Sequence, residues 1–210
     1  MKNILTSFPD QKTLPERYPN LEVLQVNTHL HTPYSFSAFA DIRQIFEMAR
    51  QENIAVLGIN DFFVTDGYTS FYQEALKYGI FPLFNIEFIS LLKKEQKEGI
   101  RINDPNNPGR CYFSGKGLDF PYSLAGLLRN KLEKVVAESQ DQVRAMIDRA
   151  NEWFSRIDAP IKLSYDDIRR KYAKELVRER HLAKAIRIAV FDKSTDETHR
   201  IALLNTIFVG

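Results

Sequence analysis

The 210-residue sequence has a single cysteine, Cys111, and only four histidines. One cysteine excludes a disulfide framework within the chain and any zinc site built from several cysteines. No apolar stretch approaches the roughly 18 residues of a membrane-spanning helix, and the first residues lack the apolar segment of a secretory signal. The net charge of +2 is too small to indicate nucleic-acid binding by charge alone. We therefore expect a globular protein of the cytoplasm that does not interact with membranes.

Aromatic residues and glycines concentrate in the first part of the chain. Residues 1–122 hold 19 of the 25 aromatic residues and 7 of the 9 glycines. Residues 123–210 hold 17 Lys and Arg against 13 Asp and Glu. Aromatic residues and glycines favour strands and turns, whereas charged residues at helical spacing favour helices. The composition predicts a mixed α/β first part and a mainly helical second part.

The first part shows the alternation of strands and helices that is typical of a parallel sheet. Apolar runs predict strands at residues 22–27, 54–59 and 80–84, the last extended or followed by residues 85–90, and a further strand at residues 111–114. Asp41 is suited to cap a helix that Asn53 ends in a left-handed conformation. A second helix is predicted over residues 68–78, ending at Gly79. This spacing indicates βαβ units.

The second part shows helical patterning from residue 123 to about residue 156. Ala159 and Pro160 interrupt it. Ser164–Asp167 resembles a capping box and predicts a basic helix that runs to Val190.

His29 and His31 follow the first predicted strand directly. Residues two apart point to the same side of an extended backbone, so both imidazoles are expected at the carboxyl end of this strand. That edge is where α/β proteins bind ligands, and two neutral imidazoles suit Zn, Mn or Fe. Taken alone, the pair fits two surface histidines in a loop equally well.

Asp61 and Glu87 stand where the second and third predicted strands stop. Taken singly, Asp61 is typical of a turn or cap, and Glu87 is typical of a solvated surface. It is less probable that all three strand ends deliver such residues to one edge by chance than that any one of them does so alone. Their conjunction favours a metal or ligand site.

Residues 29–90 resemble the N-terminal part of the PHP family (polymerase and histidinol phosphatase), a family of metal-dependent phosphoesterases. The strand-end motifs of that family correspond to His29-Leu-His31, Asn60-Asp61-Phe62 and Asn85-Ile-Glu87. Arg178–Ala183 is similar to a helix start in the branch that cleaves nucleoside bisphosphates or short oligonucleotides. That branch also has a helical insertion between the two regions.

The resemblance implies a distorted (β/α)₇ barrel and a division of the chain. The implied segments are an N-terminal extension (1–20), PHP-like βα units (21–122), a helical insertion (123–164) and a helical return segment (165–210).

The resemblance also implies roles for individual residues. His29, His31 and Glu87 would bind a divalent metal, either Mn, Zn or Fe. Asp61 would orient a ligand or carry a proton in catalysis. The phosphate of a monoester or small nucleotide would be bound by three residues: Arg178, Arg180 and His181.

Several positions depart from the family pattern. Aromatic residues stand at three positions where the family has metal ligands: Phe36, Phe62 and Tyr112. Glu179 replaces an arginine, and the family's C-terminal Asp-x-His has no counterpart. Two interpretations stay open. In the first, the site has fewer ligands than the family pattern and binds a single metal ion. In the second, it is part of an inactive scaffold that binds a nucleotide or a protein.

The length is short for this barrel, since only about four strand units can be placed. We expect an incomplete barrel, from a truncated family member or an N-terminal fragment, that ends near Ile207–Gly210. Its exposed apolar sheet edge would be open to a protein partner. Nucleic-acid binding has weaker support, because only the helix predicted after Ser164 is basic.

Overall fold

The computed structural model describes residues 24–208, which divide into two compact units. The sheet unit runs to Thr32 and continues from Ser37 to Gly126, and the helical unit comprises Pro33–Phe36 and the chain from Leu127 onward. The expected extension at 1–20, the start of the first predicted strand at 22–23, and residues 209–210 lie outside the described residues.

The sheet unit contains four strands in the order β1-β2-β3-β4, and β1–β2 and β2–β3 are parallel pairs. The bounds of the strands are β1 Gln25–Leu30, β2 Ile54–Phe62, β3 Phe81–Leu91 and β4 Arg110–Gly115. β4 pairs antiparallel with β3. The α/β class is thereby confirmed, and the four strands within residues 24–208 form an incomplete barrel, as expected.

Two amphipathic helices, α1 (Ile42–Gln51) and α2 (Tyr68–Tyr78), follow β1 and β2. The Asp41 side chain accepts a hydrogen bond from the Gln44 amide at 2.8 Å, as expected of a helix cap. The core of the unit includes Phe46 on α1 and Phe71 on α2, which are fully buried with ring centroids 4.8 Å apart. α2 ends at Gly79, whose φ of 66° explains why glycine is needed there.

β2 and β3 are longer than their apolar runs predict. β2 extends three residues beyond Ile59, so Asp61 and Phe62 belong to the strand itself. β3 runs without interruption through residues 85–90. A short helix, α3 (Lys93–Lys97), connects β3 to β4.

The helical unit contains α4 (Gly126–Arg156), α5 (Tyr165–Tyr172), α6 (Glu179–Lys193) and α7 (Glu197–Phe208). Its buried apolar residues form one core that all four helices share, including Val143, Ile147, Phe154, Ile168, Leu182, Val190 and Leu203. Among residues 24–208, none of the helices is long and apolar enough to cross a membrane.

The prediction of one helix from residue 165 to Val190 is wrong. The helix ends at Tyr172. The backbone is extended at Ala173 and at Arg178, and a separate helix begins at Glu179. Between them, Leu176 and Val177 are buried, and their backbone amides bond elsewhere in the unit rather than to a preceding turn. Burial and tertiary hydrogen bonds therefore override the helical propensity of this segment.

The partners of this extended segment are distant in sequence. Leu176 N donates to Tyr34 O at 3.1 Å. The buried Gln140 side chain of α4 accepts from Val177 N at 3.0 Å and donates to Val177 O at 3.2 Å. For Val177, one side chain of α4 therefore supplies the hydrogen bonds that a continuous helix would provide.

β1 is an edge strand of the described sheet. Leu24 and Val26 are 57% and 56% exposed, which gives this edge the apolar character expected from the sequence.

Candidate metal-binding site

The carboxyl end of β1 has an irregular register. Between Asn27 and Leu30, β1 advances one residue more than β2 does. A close approach of the two strands accompanies the shift, since a Cβ atom on Gly58 would lie 2.4 Å from Thr28 O. Glycine at this position therefore allows the backbone to take the course that carries the two histidines.

Three of the predicted site residues meet at this end of the sheet. The Nε2 atoms of His29 and His31 each lie 3.2 Å from Glu87 Oε2. One ligand atom from each of the three side chains fits within 4.8 Å of the other two. The His29 side chain is 48% exposed, whereas those of His31 and Glu87 are 18% and 8% exposed. The site is therefore accessible from the His29 side.

The Glu87 carboxylate is held in its charged form. Burial acts to raise its pKa, but hydrogen bonds and charge from His31 and His29 outweigh burial, and the pKa is lower than its usual value. An ionised carboxylate beside two imidazoles is suited to bind a cation.

Asn60 is the polar neighbour that the sequence analysis missed. Its Nδ2 lies 2.9 Å from His29 Nε2, 3.1 Å from Glu87 Oε2 and 3.2 Å from Ser114 Oγ. The side chain is fully buried. Strand alternation was the available signal, because it places Asn60 and not Asp61 on the same side of β2 as Phe62.

Lys116, just after β4, is a second missed neighbour. Its Nζ donates to Asn60 Oδ1 at 3.3 Å and to Thr28 O at 3.2 Å. Burial lowers the pKa of Lys116, while the negative charge of Glu87 acts in the opposite direction. No sequence motif pointed to this lysine.

Asp61 follows Asn60 near the end of β2, and its carboxylate contacts Thr32. It is fully buried, and its carboxylate accepts hydrogen bonds from the Thr32 amide, at 2.7 Å, and from the Thr32 hydroxyl. Thr32 directly follows His31, so Asp61 fixes the backbone that carries this histidine.

Comparisons with known proteins identify the family. The PHP domain family model matches residues 27–192, which is most of the chain. The chain belongs to the PHP domain family. No curated protein matches the sequence.

Solved structures with a similar fold include a phosphoesterase and an amidohydrolase. A candidate metal-dependent phosphoesterase from Bifidobacterium adolescentis has a TM-score of 0.55 and 15% identity, over 89% of this chain and 56% of that chain. An amidohydrolase from Chromobacterium violaceum, with bound sulfate and no metal, has a TM-score of 0.51 and 16% identity, over 77% of this chain and 49% of that chain. This PHP chain thus spans about half the length of these structures.

Two of the aromatic residues at expected PHP ligand positions adjoin the site. The Phe62 ring stacks on His31, with centroids 4.6 Å apart and planes inclined by 15°. Tyr112 lies behind it, 6.3 Å from Phe62 between ring centroids. These rings place apolar surface beside the histidines.

The remaining predicted site residues belong to the helical unit. At the start of α6, the Arg178 amide donates to His181 Nδ1 at 3.0 Å, and the Arg178 guanidinium lies 3.3 Å from the Glu179 carboxylate. The Arg180 guanidinium lies 4.7 Å from the centre of the Phe36 ring. Burial, with the nearby positive charges, lowers the pKa of His181.

Proposed function

We propose that this PHP chain is a divalent-metal-dependent phosphoesterase whose metal ligands are His29, His31 and Glu87. The observation that carries the proposal is the convergence of the three ligand atoms within 4.8 Å at an accessible sheet end. Two imidazoles and a carboxylate fit one Mn, Zn or Fe ion. A metal ion there would polarise a phosphoryl oxygen and lower the pKa of a bound water.

The surrounding residues support this centre. Asn60 Nδ2 donates to Glu87 Oε2 and also lies 2.9 Å from His29 Nε2, so this buried amide contacts two of the three proposed ligands. Asp61 acts as a positioning residue, because its two hydrogen bonds with Thr32 hold the backbone next to His31. Loss of partners of this kind typically lowers metal affinity or activity by about 10- to 100-fold.

The proposed substrate is a phosphate monoester or a small nucleotide, bound by Arg178, Arg180 and His181. Because His181 Nδ1 accepts a hydrogen bond from the Arg178 amide, the neutral imidazole carries its proton on Nε2. An Nε2–H group and guanidinium groups are donors suited to phosphate oxygens.

The deciding experiment measures metal content and turnover together. The chain is purified without a histidine tag, dialysed against Mn²⁺ and analysed for bound metal. Hydrolysis is then assayed on a phosphate monoester, a nucleoside bisphosphate and a short oligonucleotide. We expect His31→Ala to abolish both metal binding and turnover, whereas His199→Ala, an exposed histidine on α7, should leave both unchanged.

An alternative function, a catalytically inactive scaffold that binds a nucleotide or a protein, is favoured by one observation. Phe62 places an apolar ring against His31 where PHP enzymes are expected to have a ligand. A chain that binds no Mn²⁺ and hydrolyses none of the three substrates, yet is stabilised against heat by a nucleotide, would support this alternative.

A further inference from the structure

Lys116 has a backbone that is held rigidly beside the candidate metal site. Gly117 N donates to Asn85 Oδ1 at 3.0 Å, and Leu118 N donates to Phe84 O at 2.8 Å. Gly117 has a φ of 67°, a conformation that favours glycine. These bonds tie the segment after β4 to β3 and fix the direction in which the lysine leaves the sheet.

The ammonium group of Lys116 contacts two neutral oxygen atoms, Asn60 Oδ1 and Thr28 O. Neutral acceptors orient the group without cancelling its charge. Through the Asn60 amide, Lys116 is one side chain away from His29 and Glu87. Its positive charge therefore lies near two of the three candidate ligands, His29 and Glu87.

The ligand set provides for one metal ion in this region. Among residues 24–208, His29, His31 and Glu87 form the only group of three metal-ligating side chains. The space beside His31 contains the Phe62 ring, which has no ligand atom, and the Tyr112 ring lies 6.3 Å from Phe62. A phosphoryl group bound at a single metal would retain negative charge that a second cation could stabilise.

We infer that Lys116 binds a phosphate oxygen of the substrate next to a single metal ion, in the electrostatic role that a second metal ion has in binuclear phosphoesterases. This inference rests on the proposed function, since it requires a metal at His29, His31 and Glu87. Lysine binds phosphate as a point charge, so it fits this role without demanding a bidentate geometry.

The experiment measures Mn²⁺ stoichiometry by elemental analysis and the affinity of inorganic phosphate for the Mn²⁺-loaded chain by calorimetry. It compares the wild type with Lys116→Met, Lys116→Arg and a matched control, Lys97→Met, which removes an exposed lysine on α3. Circular dichroism verifies that each variant is folded. We expect one Mn²⁺ per chain in all four proteins. Phosphate affinity should fall about tenfold or more in Lys116→Met, recover largely in Lys116→Arg and stay unchanged in Lys97→Met.

Three results would overturn the inference. Two or more Mn²⁺ ions per wild-type chain would remove the need for a second cation. Unchanged phosphate affinity in Lys116→Met would show that the lysine does not bind the anion. Loss of Mn²⁺ from Lys116→Met would make Lys116 a positioning residue that acts through Asn60. A wild-type chain that binds no Mn²⁺ would overturn the proposed metal centre itself, which distinguishes the two failures.

Discussion

The phenyl ring of Phe62 lies almost parallel to the imidazole of His31, with ring centroids 4.6 Å apart. Phe62 is 5% exposed, so its ring is packed in place. The PHP resemblance implies a metal ligand at this position. Phe62 is therefore one of the aromatic residues that stand where the family resemblance implies a further metal ligand.

Replacing Phe62 with histidine is expected to strengthen metal binding. Phe62→His places a third imidazole beside His31, and imidazole is a preferred ligand of Zn, Mn and Fe. Since residues that merely orient ligands change metal affinity by about 10- to 100-fold, a new ligand should raise Mn²⁺ affinity at least about tenfold. Titration with Mn²⁺ measures this effect, and Phe62→Leu serves as the control. Equal affinities in the histidine and leucine variants would contradict the prediction.

Removing the Asp61 carboxylate is expected to weaken both the fold and the metal site. Asp61→Ala leaves the buried amide and hydroxyl of Thr32 without this acceptor, which should destabilise the chain by about 3 kcal/mol. Mn²⁺ affinity should fall as well, because the backbone next to His31 is released. Urea unfolding and Mn²⁺ titration test the two effects. Asp66→Ala, at an exposed position of the following loop, is the control, and equal behaviour of the two variants would refute the role of Asp61.

The stability contributed by Glu87 is expected to depend on pH in the metal-free chain. The pKa of Glu87 is lower in the folded protein than its ordinary value of 4.5. The carboxylate therefore stabilises the folded state above the unfolded pKa, and this contribution is lost as the pH falls through the folded pKa. Glu87→Gln should thus be less stable than the wild type near neutral pH, with the difference shrinking in acid. Urea unfolding across an acid-to-neutral pH series measures it, and a difference that does not shrink would count against the prediction.

Gln140 is expected to stabilise the helical unit through its side-chain amide. It bonds both the amide and the carbonyl of Val177, and its Oε1 accepts the Tyr165 hydroxyl at 2.7 Å. Gln140→Leu leaves these buried groups without that partner, at an expected cost of about 3 kcal/mol in the free energy of unfolding. Chemical denaturation tests this value. Gln142→Leu, at an exposed position of the same helix, should change stability by less than about 0.5 kcal/mol.

Local sequence signals predicted much of the sheet unit because they act over a few residues. The Asp41 cap and the buried face of α1 appear where the hydrophobic spacing indicates. Gly79 ends α2 in the left-handed conformation that glycine favours. The break after Tyr172 was not predicted, since the partners of Leu176 and Val177 are far away in the sequence.

The candidate site shows the same contrast between local sequence signals and contacts that depend on the tertiary structure. Motif order and strand ends were sufficient to select His29, His31 and Glu87, which the structure brings within ligand distance of one another. Asn60 and Lys116 were missed because their roles depend on strand register and on the course of the chain after β4.

The sequence by itself determined the PHP family, the α/β class and the three candidate metal ligands. The α/β class follows from hydrophobic periodicity, and the family and its candidate ligands follow from the resemblance of short motifs; both are local properties of the chain. The tertiary structure alone decided that Asp61 bonds Thr32, that Phe62 covers His31, and that a lysine lies beside the site. Such contacts join residues from different strands, and their geometry is set by packing and register, which no local pattern encodes.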